Sequence, residues 1–153
     1  MRLIPKLTFS LLAIALMSMP ATAQDLTGTL KKFKDTGVVK IGHRDASIPF
    51  SYLDDKQRPI GYGVDICMKI VDAVKTQIKM PKLKVEFVPV TSQTRIPILT
   101  GGNIDMECGS TTNSVERQKQ VAFAPTYFMT GTKLIVKKSS GIKGYDDLKG
   151  KTV

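Results

Sequence analysis

Residues 84–108, KVEFVPVTSQTRIPILTGGNIDMEC, hold the pattern that decides the fold. Residues 84–90 alternate in polarity and are rich in β-branched side chains, which predicts a strand, and residues 104–108 predict a second strand. Between them, Thr91 or Ser92 is placed to cap a short helix that stops at a pair of glycines. A strand, a helix and a strand in this order favour parallel pairing of the two strands.

The same alternation continues upstream. Apolar residues recur at every fourth position over residues 66–78, with Cys67 and Val71 beside them, which predicts an amphipathic helix closed by Pro81. The β-branched run at 38–42 predicts a buried strand, and residues 26–34 predict a short helix before it. Residues 44–58 have little periodicity and predict a loop or an irregular hairpin. The chain therefore belongs to the α/β class, with a mostly parallel sheet flanked by helices.

The C-terminal part carries weaker signals. Residues 115–119 predict a helical turn, a long segment follows at 126–138, and residues 145–148 predict one further turn. Residues 150–153 read as the beginning of another strand. A domain boundary inside a strand is unusual, so this ending predicts that the sequence is a fragment of a longer protein.

The N-terminus has the layout of a secretory signal peptide. Arg2 and Lys6 are basic, residues 7–19 are almost wholly apolar, and a small-residue site of the A-x-A type ends at Ala23. The alternative is a membrane anchor, but the apolar run is shorter than the roughly 20 residues that a spanning helix needs. We therefore expect residues 1–23 to be removed and the protein to be exported from the cytoplasm.

Charge and cysteine content narrow the range of possible functions. The formal charge is +10, and it becomes +8 once Arg2 and Lys6 leave with the signal peptide. The lysines are scattered and not clustered with aromatic residues, which disfavours nucleic acid as a partner. Cys67 and Cys108 both fall at core positions and are either a disulfide or two separate buried thiols. With His43 as the single histidine, no metal-ligand spacing is present.

Polar residues follow each predicted parallel strand, at the edge of the sheet where α/β proteins bind ligands. They lie at 43–45, 91–95 and 109–113, and Arg117 follows one turn after the last segment. Arginine side chains and helix N-termini both favour carboxylates. The pattern predicts a site for a ligand with two negative groups.

Each residue of this pattern also has a simpler interpretation. The arginines at 44, 95 and 117 are compatible with surface ion pairs, and Ser92 and Ser110 with helix caps. His43 is compatible with packing beside the strand end. Glu107 is compatible with a general acid or base and also with a partner for a neighbouring arginine.

Several blocks of the sequence resemble the family 3 periplasmic amino-acid-binding proteins. The general family blocks are 38–44 (VVKIGHR), 48–52 (IPFSY), 61–66 (GYGVDI), 104–118 and 121–125 (VAFAP). Within the family, the blocks at 42–44 (GHR), 91–97 (TSQTRIP) and 107–113 (ECGSTTN) are most similar to the glutamate/aspartate-binding members of bacterial ABC importers.

The resemblance implies a two-lobed, hinged receptor in the periplasm that closes on its ligand and delivers it to a membrane permease. It implies lobe 1 at residues 24–128, a hinge or crossover strand at 129–138 and the start of a truncated lobe 2 at 139–153. It also implies a monomer that needs no cofactor, carries out no reaction and binds no nucleic acid. By position, the residues that match the family's contacts to the ligand's α-carboxylate are Ser110, Thr112 and Arg117. Those that match its contacts to the side-chain carboxylate are Arg44, Ser92 and Arg95.

Two alternatives share this fold. One is an exported dehydratase-like enzyme that uses Glu107 or His43 for proton transfer. The other is a sensor ectodomain with the same amino-acid pocket. Product formation would identify the enzyme, and a membrane span further along the chain would identify the sensor.

Overall fold

A computed structural model of the chain describes residues 26–131 and 133–152. The predicted signal peptide lies outside these residues. The described chain forms two compact units, the first ending at Thr112 and the second beginning at Asn113. None of the helices in the described part of the chain has the length and apolar character needed to cross a membrane.

A three-stranded parallel sheet forms the centre of the first unit. Its strands are β1 (Val38–His43), β5 (Lys84–Pro89) and β6 (Met106–Glu107), in the order β5-β1-β6. β1 pairs with β5 along its whole length and with β6 at Ile41 and Gly42. The predicted parallel α/β sheet is therefore confirmed, and the three strands end at the same edge.

Three short strands lie between β1 and the next helix, where a loop or irregular hairpin was predicted. They are β2 (Ala46–Ser47), β3 (Ser51–Leu53) and β4 (Pro59–Ile60), and they pair antiparallel in chain order. Strands of two or three residues are too short to show an alternating sequence pattern, which explains why the prediction was incomplete.

The two helices predicted before and after β1 are confirmed. α1 spans Gly28–Thr36 and ends at Gly37, whose left-handed backbone allows its N–H to donate to the Phe33 carbonyl at 2.9 Å. α2 spans Tyr62–Gln77. Two shorter helices follow, α3 at Arg95–Thr100 and α4 at Val115–Gln118.

The buried face of α2 agrees with the prediction except at one position. Cys67 and Val71 are buried in the helix and Ile78 just after it, as predicted, whereas Ile70 is exposed. Val64 is a further buried apolar position near the start of the helix. The core cluster contains Phe33, Val39, Ile41, Cys67, Val71, Ile78, Leu83 and Cys108.

A disulfide joins Cys67 on α2 to Cys108, the residue after β6. Both cysteines are buried, as their positions in the sequence predicted. Of the two interpretations that the sequence left open, the structure has the disulfide.

The second unit contains α4 and two 3-10 helices at Lys138–Ser140 and Tyr145–Leu148. The helical turns predicted at 115–119 and 145–148 are thus present. The described residues at 129–131 and 133–138 contain no strand, and the assignment of 129–138 as a hinge or crossover stays a prediction. A strand requires a neighbouring backbone for its hydrogen bonds, and this segment is part of no sheet. Residues 151 and 152 are not in a strand either.

Candidate functional site

The first polar segment follows β1, where His43 and Arg44 have different environments. His43 is buried, and its ring lies edge-on to the Phe87 ring with 6.0 Å between centroids. Its Nδ1 atom is 3.6 Å from a carboxylate oxygen of Asp45. His43 therefore packs beside the strand end, whereas Arg44 is half-buried at the sheet edge.

Ser51 fixes the backbone at Arg44. The Arg44 N–H donates to Ser51 Oγ at 2.9 Å, and the Ser51 side chain is fully buried with 0% exposure. This contact links β3 of the small sheet to the end of β1. Sequence reasoning did not find Ser51, because nothing in the sequence marks this serine as buried.

Ser92 contacts Arg44 and is not a helix cap. Its Oγ accepts a hydrogen bond from Arg44 Nη1 at 3.1 Å. Thr91 and Thr94 form a closed turn instead, because each side-chain oxygen accepts from the other residue's backbone N–H, at 2.9 and 3.1 Å. α3 then begins at Arg95, with Thr94 as its N-cap residue. Of the two predicted caps, Thr91 holds the entry to α3, because its Oγ1 accepts from the Thr94 N–H and its carbonyl accepts from the Arg95 N–H at 3.2 Å. Ser92 does not cap the helix, which starts at Arg95.

Arg95 is a buried cation at the first residue of α3. Only 6% of its surface is exposed. Its Nη1 atom is 4.0 Å from Glu107 Oε1. The interpretation of Arg95 as a plain surface charge is therefore excluded, and Glu107 is the neighbouring acid that pairs with it.

Glu107 lies beside Arg95 and, at Gly109, close to the stem of Arg44. Its Oε2 atom accepts a hydrogen bond from Thr111 Oγ1 at 2.7 Å. A Cβ atom added at Gly109 would lie 2.5 Å from Glu107 Oε1 and 3.2 Å from Arg44 Cγ. The carboxylate and the stem of Arg44 therefore approach the same backbone position, which only glycine leaves open. We call Arg44, Ser92 and Arg95 the arginine cluster.

The remaining predicted residues divide between the two units. Ser110 and Thr112 follow β6 in the first unit, and both are exposed. Arg117 lies in the second unit on α4, half-buried, where its backbone N–H donates to the Ser114 side chain. Thr111, which the sequence did not single out, lies between the two exposed hydroxyl residues and holds Glu107.

The chemistry of the cluster suits an anion that arginine can bind. A guanidinium presents several N–H donors in one plane and matches both oxygens of a carboxylate. Among residues 26–131 and 133–152, no group of three or more histidine, cysteine, aspartate or glutamate side chains is placed to hold a metal ion.

Comparison with known proteins gives a consistent family match. Residues 39–151 match the model of the bacterial extracellular solute-binding proteins, family 3. The chain is 54% identical to an L-glutamate/L-aspartate-binding protein of Pseudomonas aeruginosa, over 100% of this chain and 51% of the relative. It is 48% identical to a glutamate/aspartate import solute-binding protein of Salmonella typhimurium, over 97% of this chain and 50% of the relative.

A solved structure supports the same fold. The chain superposes on the crystal structure of an ancestral amino acid-binding protein, a precursor of cyclohexadienyl dehydratase, with a TM-score of 0.68 and 30% identity. This match covers 79% of the chain and 51% of the solved structure. The chain spans about half the length of the curated relatives it matches, and the names of these relatives describe binding proteins and not enzymes.

Proposed function

Because the chain belongs to the bacterial extracellular solute-binding proteins, family 3, we propose that it captures a dicarboxylic amino acid, glutamate or aspartate, for import. The protein binds the free amino acid outside the cytoplasm and delivers it to the permease of an ABC importer. It acts as a monomer, needs no cofactor and releases its ligand unchanged. The names of the two bacterial relatives support the choice of ligand.

The observation that carries this proposal is the arginine cluster at the carboxyl edge of the sheet. Arg44 Nη1 donates to Ser92 Oγ at 3.1 Å, and Arg95 lies three positions further on, 6% exposed. A ligand carboxylate at this edge gains charge-assisted hydrogen bonds from both guanidinium groups. An uncharged amide in its place leaves the positive charge that Glu107 does not balance without a partner, which costs about 2–5 kcal/mol when one partner of such a pair is absent.

We assign the binding of the ligand's α-carboxylate to Ser110, Thr112 and Arg117. Ser110 and Thr112 have exposed hydroxyl groups after β6, and Arg117 supplies a third guanidinium. The family resemblance supports their role with the α-carboxylate. The arginine cluster then binds the side-chain carboxylate of the ligand, so it sets the preference for an acidic amino acid.

The longer architecture follows from the same resemblance. We assign residues 1–23 to a cleaved signal peptide and residues 24–128 to lobe 1. The hinge is assigned to 129–138 and the beginning of lobe 2 to 139–153. Closure of the second lobe over the ligand completes the site and excludes water.

Calorimetric titration tests this function on the protein expressed from residue 24 to the end of its natural chain. The titrants are glutamate, aspartate and glutamine, each against the wild-type protein, Arg95→Ala and Arg58→Ala. Arg58 is the matched control because it is a mostly exposed arginine in a local ion pair with Asp54.

We expect both acids to bind tightly, glutamine to bind at least about tenfold more weakly, and Arg95→Ala to lose that discrimination. Arg58→Ala should behave as the wild type does. Equal affinity for glutamine and glutamate would show that the site does not select a dicarboxylate. An Arg95→Ala variant identical to the wild type would show that the arginine cluster does not carry the selection. Chromatography of the ligand after incubation tests the enzyme alternative, which requires a product.

A further inference from the structure

Glu107 is a buried acidic side chain inside a site whose other charged groups are cations. Its side chain is 10% exposed, and that of its partner Arg95 is 7% exposed. A receptor for anions is not expected to place a carboxylate beside its own arginine unless the carboxylate has a purpose, because it repels the ligand.

The geometry of the pair indicates an effect through charge. The distance of 4.0 Å between Arg95 Nη1 and Glu107 Oε1 is longer than a hydrogen bond. Within the described part of the chain, Glu107 Oε1 accepts no hydrogen bond. Glu107 thus compensates the positive charge of Arg95 without donor–acceptor contact to that nitrogen, while Thr111 holds its other oxygen.

The charge balance follows from three side chains. Arg44 and Arg95 contribute one formal positive charge each and Glu107 one formal negative charge, so the arginine cluster with Glu107 carries a formal charge of +1. Glu107 Oε1 lies 4.0 Å from Arg95 Nη1, and at Gly109 it approaches the same backbone position as the stem of Arg44, so Glu107 neighbours both arginine side chains. A ligand side chain with one negative charge neutralises this single positive charge, whereas a side chain with two negative charges leaves one negative charge without a counter-charge.

We propose that Glu107 is a specificity-determining residue that sets the net charge of the arginine cluster to +1 and thereby selects monoanionic over dianionic ligand side chains. This inference rests on the proposed function and deepens it. The ligands that Glu107 excludes are amino acids with a phosphate or phosphonate side chain, which approach two negative charges at neutral or higher pH.

Two ligands of similar shape separate charge from size. L-homocysteate has a tetrahedral sulfonate with one negative charge, and L-2-amino-4-phosphonobutyrate has a tetrahedral phosphonate with about two negative charges at pH 9. Both are titrated by calorimetry into the protein expressed from residue 24 to its natural end, with glutamate as the reference ligand. The variants are Glu107→Gln, which keeps an acceptor for Thr111, and Asp105→Asn.

Asp105 is the matched control for loss of a buried carboxylate. Its side chain is 3% exposed, pairs with Lys32 at 2.7 Å and accepts from the Lys40 N–H at 2.7 Å. The residue lies two positions before Glu107 in the chain but contacts α1 and β1 and not the arginine cluster. Asp105→Asn therefore reports on the general consequences of removing a buried negative charge from this sheet.

We expect the wild-type protein to bind homocysteate about tenfold or more tightly than the phosphonate at pH 9, because the two ligands differ by one charge a few ångström from Glu107. In Glu107→Gln this ratio should fall about tenfold or reverse. In Asp105→Asn it should stay at the wild-type value. An unchanged ratio in Glu107→Gln, or an equal change in Asp105→Asn, would overturn the inference.

A second measurement uses only the wild-type protein and compares the affinity of the phosphonate at two pH values. The phosphonate carries about one negative charge at pH 5 and about two at pH 9, so its affinity for the wild-type protein relative to homocysteate should fall between these pH values. A ratio that stays constant or rises, or rejection of both tetrahedral ligands at both pH values, would overturn the inference. Failure of glutamate itself to bind contradicts the proposed function instead, which keeps the two failures distinct.

Discussion

At the scale of the residue, the candidate site depends on side chains whose partners are distant in sequence. Arg44 meets Ser92, which lies 48 positions away. The sequence predicted the arginines and Ser92 as site residues through the family resemblance, and it offered Glu107 two interpretations. It did not predict Ser51 or Thr111, because a buried hydroxyl is distinguished from an exposed one only by the packing around it.

Ser51 provides a prediction at this scale. Ser51→Ala removes the acceptor of the Arg44 N–H and leaves that donor without this partner, so we expect the free energy of unfolding to fall by about 1–3 kcal/mol. Affinity for glutamate should fall as well, since Arg44 loses its anchor. Urea unfolding and calorimetry measure the two effects.

The control is Ser139→Ala, which alters an exposed serine in the 3-10 helix at Lys138–Ser140. It should leave both quantities unchanged. A stable Ser51→Ala variant with wild-type affinity would contradict the assignment of Ser51 as the support of Arg44.

At the scale of the element, the predictions were good where a pattern ran over many residues. The strands at 38–42 and 84–90 were predicted to within one residue, because long β-branched runs indicate strands by themselves. β6 is shorter than predicted, and β2, β3 and β4 were not resolved into strands. Short strands depend on which backbone lies beside them, and the start of α3 depends on the Thr91–Thr94 turn.

The disulfide provides a prediction at this scale, because it ties α2 to the segment that carries Ser110 and Thr112. Cys67 and Cys108 are 41 positions apart, and closing a loop of this length stabilises a fold by about 2–5 kcal/mol. We expect the double variant Cys67→Ala/Cys108→Ala to lose this amount in chemical unfolding. The wild-type protein unfolded under reducing conditions should show a comparable loss, whereas no difference between oxidised and reduced protein would contradict a stabilising role.

The turn between β3 and β4 provides a second prediction at the scale of the element. The Arg58 N–H, the Arg58 guanidinium and the Lys56 N–H donate to the Asp54 carboxylate and hold its pKa below the usual value. A depressed carboxylate pKa contributes stability that is present above the unfolded pKa, about 3.9, and is lost as the pH falls through the folded pKa.

We therefore expect the NMR titration of Asp54 to have its midpoint below that of an aspartate in a model peptide. We also expect the stability difference between the wild-type protein and Asp54→Asn to be constant near pH 7 and to shrink at acid pH. A normal midpoint for Asp54 would show that these hydrogen bonds do not persist in solution.

At the scale of the whole molecule, the sequence supported the family before the fold was known. The resemblance was carried by blocks spread over residues 38–125, and the family model matches residues 39–151. The described residues at 129–131 and 133–138 contain no strand, and the hinge assigned to 129–138 stays a prediction. The lobe boundaries remain predictions.

The most direct test of the central claim is a crystal structure of the protein, from residue 24 to its natural end, with glutamate bound. We predict that the side-chain carboxylate lies within about 3 Å of guanidinium nitrogens of both Arg44 and Arg95. The Ser92 hydroxyl should lie beside it, and the α-carboxylate should contact Arg117. A glutamate side chain that points away from the arginine cluster, or a site that holds only the α-carboxylate, would contradict the account.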